Sequence, residues 1–373
     1  MGNMPTRVKW FIGLGVLAFA GLAVGGVAFG SLVVRKVALA ALPSRDLLRM
    51  PRPECAWTRL ADGRLLLTGG IGGDSPSTAE IYDPKTDGFS PAGRLKVPRS
   101  MHHALALPDG RVLLVGGVGG RDQAWPLEIE AFDPVKGSSE ILGKLPAQAA
   151  HPALARLADG RILIAGMLAE GRDSVTLFDP KTGACAGVQG AKDCWLMDAD
   201  ALPLQDGRIL FSGMGARKVN TALYDPPTEA FVPVVSMRED RMRHRTTLLA
   251  DGRVFLSGGH EVGTCELFDP RTGVFAPSVV LQASRSGHQA VLLQDGRILL
   301  YGGLSGPSGP GSRSTSECVD VRTGKVESLE GPEGFFLMGA ALTLPDGRVL
   351  AVSDMGRRSV FDPRTNRWSP YRP

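Results

Sequence analysis

Seven copies of one hairpin signature, an apolar run after each, and a Gly- and Pro-rich composition predict an all-β, seven-bladed propeller. The tripeptide Asp-Gly-Arg begins at Asp62, Asp109, Asp159, Asp206, Asp251, Asp295 and Asp346, at intervals of 47, 50, 47, 45, 44 and 51 residues. A period of this size marks repeats that are each one small sheet, unable to cover both faces alone. With 48 Gly and 27 Pro against 14 Phe, 5 Trp and 4 Tyr, the chain suits short strands and tight turns better than a helical bundle.

Each repeat reads as four antiparallel strands. A first strand, such as Ala104–Leu107, runs into the Asp-Gly turn, whose positive φ makes this pair the strongest short hairpin signal. The second strand is a continuous apolar run, as in Arg111-Val-Leu-Leu-Val-Gly-Gly117, which fits a strand covered on both faces. After a variable loop, a third strand ends in an aromatic–Asp–Pro group (Tyr82, Phe132, Phe178, Tyr224, Phe268 and Phe361 supply the aromatic), and a fourth follows the turn. Asp accepts local backbone bonds there and Pro presets φ. Radial stacking of seven such units into a ring is the economical solution, with whole blades meeting where the ring closes.

The repeats occupy residues 52–373. Ahead of them, residues 1–9 form a short basic tail, 10–34 an apolar span and 35–51 a linker. Trp10 to Val34 is 25 residues without a charge, enough to cross the hydrocarbon core with some tilt and longer than a cleavable signal. We therefore expect an uncleaved, single-pass membrane helix. The basic residues after the span slightly favour a cytoplasmic propeller by the positive-inside rule. A short basic tail before one long span is nonetheless the usual form of an exported bulk, so an extracytoplasmic propeller is expected. The net charge of +4, spread along the chain, is no nucleic-acid footprint. The bias to Arg and the three Asn residues point to a GC-rich bacterial genome.

The five Cys match no zinc spacing and no disulfide framework, although Cys185 and Cys194 are near enough for one local bridge. No phosphate-binding Gly loop, serine elbow or paired-His metal helix is present. No cofactor or metal is expected.

The repeats resemble the kelch family, which includes the propeller of galactose oxidase and bacterial relatives. The resemblance rests on a Gly-Gly pair ending the second strand, an aromatic before Asp-Pro, and an aromatic seven positions later. It also rests on Arg-x-x-His before the first strand, and it covers residues 52–373. Arg lies ten residues before the turn Asp at Arg52, Arg99, Arg241 and Arg285, and His seven before it at His102, His244 and His288. Gly69-Gly70, Gly116-Gly117, Gly258-Gly259 and Gly302-Gly303 occur in the same four Arg-bearing blades. Features that come and go together read as one packing device, in which Gly admits a close approach and Arg or His bonds the freed backbone.

Binding residues are expected on the face that carries the variable loops and blade connections. The candidates there are Arg217, His260, Glu261 and Arg357, with Arg241, Arg243 and His244 at the central opening. Several guanidinium groups could hold a carboxylate bidentately. His260-Glu261 is the one acid/base-like pair on that face. The copper oxidases of this resemblance imply Tyr and His ligands, but Tyr82, Tyr224 and Tyr301 belong to blade motifs and Tyr371 to the C-terminal end. The expected function is a membrane-anchored binding or scaffold module for a protein, peptide or glycan. The alternative is a carbohydrate-acting enzyme, of epimerase, mutarotase or lyase type, with an Arg-rich central pocket.

Overall fold

A computed structural model describes residues 52–372 other than 120–124, 168–174, 189, 191–195, 216–219, 233, 260–261, 305–314 and 333–338. The expected tail, membrane span and linker therefore lie outside the described residues, as do Arg217, His260, Glu261 and Cys194. No helix among the described residues is long and apolar enough to cross a membrane.

The described chain is a seven-bladed β-propeller. Seven four-stranded antiparallel sheets follow one another, each made of four consecutive strands. They run from Ala56 to Arg94, His103 to Lys144, Ala149 to Gly187, Leu196 to Val232, Arg245 to Val280, Gln289 to Glu330 and Gly339 to Pro370. The first strand of each blade neighbours the first strand of the next, so these strands surround the axis.

The second strands explain why the blades stack. Their side chains point alternately to opposite faces, and both faces are covered. In blade one, Leu65 and Leu67 pack with Leu350 and Val352 of blade seven, whereas Leu66 packs with Val112 and Leu114 of blade two. In blade two, Leu113 and Val115 turn the other way, towards Ile162 and Ile164 of blade three. Every pair of adjacent blades shares one such apolar cluster.

No strand is exchanged where the ring closes. Blade seven meets blade one through its apolar cluster, the Arg358–Asp87 ion pair at 2.7 Å and the Tyr371 hydroxyl, which donates to the Pro84 carbonyl at 2.8 Å. The Arg52 N–H also donates to the Asp354 carbonyl at 3.1 Å.

The Arg, His and Gly-Gly features do form one device. Each signature Arg donates to the carbonyl of the first Gly seventeen residues on: Arg52 to Gly69 at 3.1 Å, Arg99 to Gly116 at 3.0 Å, Arg241 to Gly258 at 2.7 Å and Arg285 to Gly302 at 3.2 Å. Each also holds a buried Glu on the third strand, at 2.8 Å for Glu80, 3.1 Å for Glu130, 3.0 Å for Glu266 and 3.1 Å for Glu317. Three of these carboxylates in turn accept backbone N–H groups of the connection entering their blade, from Lys96, Arg238 and Gln282. The Arg thus ties two strand ends together, and the Glu fixes the incoming chain.

The His residues work between blades. His102, His244 and His288 each meet, at 2.8 Å through Nε2, a hydroxyl of the preceding blade, on Thr68, Ser212 and Ser257 respectively. A Cβ at Gly69 would stand 2.1 Å from the Arg99 carbonyl oxygen, and one at Gly258 would stand 2.3 Å from that of Arg285, so only Gly lets the blades approach here. Blades three and four keep the first Gly, as Gly166 and Gly213, and replace the second by Met167 and Met214. The strand register settles this, because Gly69 and Gly213 donate to equivalent carbonyls, of Thr78 and Asn220.

Removing one member of a buried pair leaves the other charge uncompensated. Glu317→Ala is therefore expected to lower stability by about 3–5 kcal/mol, read from urea unfolding. Burial pushes the His244 ring down to about 4, with Arg241 and Arg245 adding to the effect and Asp200 opposing it. The unfolded chain takes up that proton near pH 6.5, so the neutral ring's contribution is complete above that pH and is lost as pH falls towards 4. His244→Gln should remove this acid-side slope, worth about 3 kcal/mol for a shift of that size, from the pH profile of unfolding.

Candidate functional site

The residue eight before the turn Asp lies on the connection into the first strand and has the same left-handed backbone in the six blades where it is described. Glu54, Met101, His151, Asp198, Arg243 and Gly287 all have positive φ, at 58°, 55°, 48°, 46°, 56° and 64°. Their backbones are linked around the opening: Met101 N–H donates to Glu54, His151 to Met101 and Gly287 to Arg243, at 3.0, 3.2 and 2.7 Å. The left-handed conformation disfavours side chains by roughly 1–2 kcal/mol per residue, and Gly is its ordinary occupant. Only blade six uses Gly. Four of the other five blades place a charged or imidazole group there, each at a cost in stability.

These side chains converge across the axis. Arg243 of blade five has its Nη1 3.5 Å from Glu54 Oε1 of blade one, which is no neighbour of blade five. Its Nη2 donates to His151 Nε2 at 3.2 Å, and its Nε lies 3.9 Å from Asp198 Oδ2. Because Nε2 accepts, the His151 ring proton sits on Nδ1, 3.9 Å from Asp198 Oδ1. The Arg243 side chain keeps 18% of its surface exposed and His151 23%, in contrast to the fully buried signature Arg residues.

A second tier lies two residues further along the first strands. Blades two, four, five and six supply His103, Asp200, Arg245 and Gln289, while blades one, three and seven supply Ala56, Ala153 and Ala340. His103 donates from Nδ1 to the Pro152 carbonyl at 2.7 Å, and burial lowers its pKa although that bond opposes the shift. Asp200 accepts from the Thr246 backbone N–H at 3.0 Å and hydroxyl at 2.7 Å. Burial pushes the Asp200 carboxyl up, but neighbouring Arg245 and these bonds outweigh it and hold the group below its ordinary value. Arg245 Nε donates to the His288 carbonyl at 2.9 Å, and the Gln289 amide donates to that of Gly339 at 3.0 Å. The tier carries both donors and acceptors, which suits a ligand rich in both.

Of the residues expected from sequence, Arg243 is at this site. Arg241 and His244 are not. Both are buried and committed to the blade signature, which corrects their assignment as binding residues. Arg357 lies in the short turn of blade seven, its backbone N–H bonded to the Ser353 hydroxyl at 3.0 Å. Cys185 is a free thiol that donates to the Lys144 carbonyl at 3.4 Å. Sequence reasoning missed Glu54, His151, Asp198 and the lower tier. The available signal was columnar: once the turns are in phase, the columns eight and six before Asp change residue type from blade to blade.

A solved structure of a fungal alcohol oxidase of the AA5 family, in complex with copper, matches with a TM-score of 0.65 at 16% identity. The match covers 87% of this chain and 75% of that one. The likeness is one of fold. No family model and no curated protein matches the chain. The residues here do not fit the oxidase's copper. Among the described residues no three His, Cys, Asp or Glu side chains are placed to hold a metal ion. Tyr82, Tyr224 and Tyr301 are buried in blade interfaces, and the Tyr371 hydroxyl bonds Pro84.

Since Met101 makes no side-chain hydrogen bond and sits at φ 55°, Met101→Gly should stabilise the fold by about 0.5–1 kcal/mol in thermal unfolding. A loss of stability would mean that the ring is not strained.

Proposed function

We propose that the protein is a kelch-type binding module whose propeller mouth grips an acidic sugar, presented on a glycan, through Arg243. The supporting observation is the ring of left-handed residues. A fold indifferent to this position would fill it with Gly, yet four of the six described blades place charged or imidazole side chains there, facing one another across the axis. Strain of this kind is a reason to look for function at the place that bears it. Arg243 and Arg245 suit the carboxylate of such a sugar. Glu54, Asp198 and Asp200 suit its hydroxyl groups, as carboxylates accept only. The kelch assignment draws support from the coupled Arg, His and Gly-Gly device.

In the same reading, residues 10–34 anchor the module in a bilayer with the propeller on the extracytoplasmic side. This half rests on the uncharged length of the segment. The alternative, a carbohydrate-acting enzyme, draws on the same opening, where two His and three carboxylates surround the place a sugar would occupy.

The test is a glycan array carrying neutral and acidic sugars, probed with the full chain in detergent. Retention on carboxylated sugars is expected, weakened about tenfold or more in Arg243→Met. Equal retention by the folded variant would reject the site. New sugar signals in proton NMR of the mixture would favour the enzyme reading. A phosphatase reporter at the C-terminus, active only after export, reports the side of the membrane.

A further inference from the structure

The closing seam carries a second ionisable feature beside the mouth. Four blades end their second strand in Gly-Gly; blade seven has Ser353-Asp354 there, and the Asp354 side chain is 2% exposed against blade one. Facing it from blade one are Glu54, itself 8% exposed, and Cys55. One oxygen on each acid, Glu54 Oε2 and Asp354 Oδ1, is buried without a hydrogen-bond partner. Each of these buried acceptors lacks a donor, which a protonated carboxyl can supply. The nearby cations do not supply it. The Arg52 guanidinium is turned to Glu80, Gly69 and Thr78, and Arg358 is turned to Asp87 and the Gly356 carbonyl. The other Glu54 oxygen is the one that reaches Arg243.

We propose that Asp354, buried at the seam near Glu54, is a proton-linked group, which sets how strongly Glu54 draws Arg243 across the axis and so regulates the hold of the mouth on an anionic ligand. This rests on the ligand reading above. With a proton on Asp354, the seam carries one negative charge and Asp354 can itself donate. Without it, two like charges face each other, and the mouth competes more strongly against a carboxylate for Arg243. Burial first, and Glu54 second, push the Asp354 carboxyl up to about 7, while the backbone N–H groups of Asp354 and Met355 oppose the shift. The Cys55 thiol is pushed up, by burial first and Asp354 next, and stays protonated. Of the other polar groups of the ring, His151 and Asp198 reach Glu54 through Arg243, and Arg357 shares the Asp354 turn.

The direction follows from linkage. A carboxyl raised in the folded state binds its proton more tightly there than in the unfolded chain. The stability it contributes is complete below about pH 4 and is lost as pH rises towards 7. Anion binding should weaken over the upper part of the same range.

Two measurements on the full chain test this, each comparing wild type with Asp354→Asn. In urea unfolding between pH 4 and 8, the difference between the two proteins isolates Asp354 from the buried His residues, whose effect has the opposite sign. Asp354→Asn should gain on wild type as pH rises from 4 to 7 and run parallel above it. Parallel profiles throughout would overturn the proton linkage. In titrations with glucuronate, wild type should bind about fivefold more weakly at pH 8 than at pH 6, and Asp354→Asn should show little change. An unchanged pH profile in the variant would assign the dependence elsewhere and overturn the regulatory role. Absence of glucuronate binding by both proteins at every pH would count against the acidic-sugar reading and with it the regulatory role. The unfolding profiles would still decide whether Asp354 is proton-linked.

Discussion

The structure depends on strands that are apolar on both faces. A single blade would leave Leu65, Leu66 and Leu67 all in water, at roughly 1.5–3 kcal/mol for each such side chain. Neighbours on both sides are required, and a ring is the arrangement in which no blade lacks one. The polar devices are subordinate to this. The Arg–Glu pairs and His–hydroxyl contacts cluster where the second strand ends and its backbone would otherwise lack partners, and they orient blades that apolar contact has already brought together.

Much of this was legible in the sequence, because period and turn chemistry are local properties. The Asp-Gly turns set the blade count, and the apolar runs set the second strands. What the sequence left hidden were partnerships between repeats. Glu80, Glu130, Glu266 and Glu317 each stand three residues before the Asp of the outer turn, in the four blades that carry the Arg and in no others. Thr68, Ser212 and Ser257 each precede a blade that carries the His. Both patterns are visible only when columns are compared, in the first case within a blade and in the second from one blade to the next. Arg241 and Arg243 show the limit of residue type as a guide. They are two residues apart, yet one is locked in the scaffold and the other crosses the axis, because the chain turns at Arg243, which is itself left-handed.

Scaffold and site therefore divide by column along the same seven segments. Columns that face a neighbouring blade repeat, since each interface poses the same packing problem. Columns that face the axis do not repeat, since side chains from different blades meet there and must complement one another. Glu54, His151, Asp198 and Arg243 form one constellation from four blades, and no single repeat contains it. The lower tier is lopsided in the same way, polar on blades four to six and small on blades one and seven.

Each sheet is one unbroken stretch of polypeptide, and the last meets the first without exchanging a strand. The ring consequently has no covalent or interwoven latch, and blades seven and one, like every other adjacent pair, are joined through a shared apolar cluster. Where the backbone happens to begin is then arbitrary for the architecture. A circularly permuted chain, with the old ends joined and a new break opened between any two blades, would carry the same seven sheets in the same cyclic order.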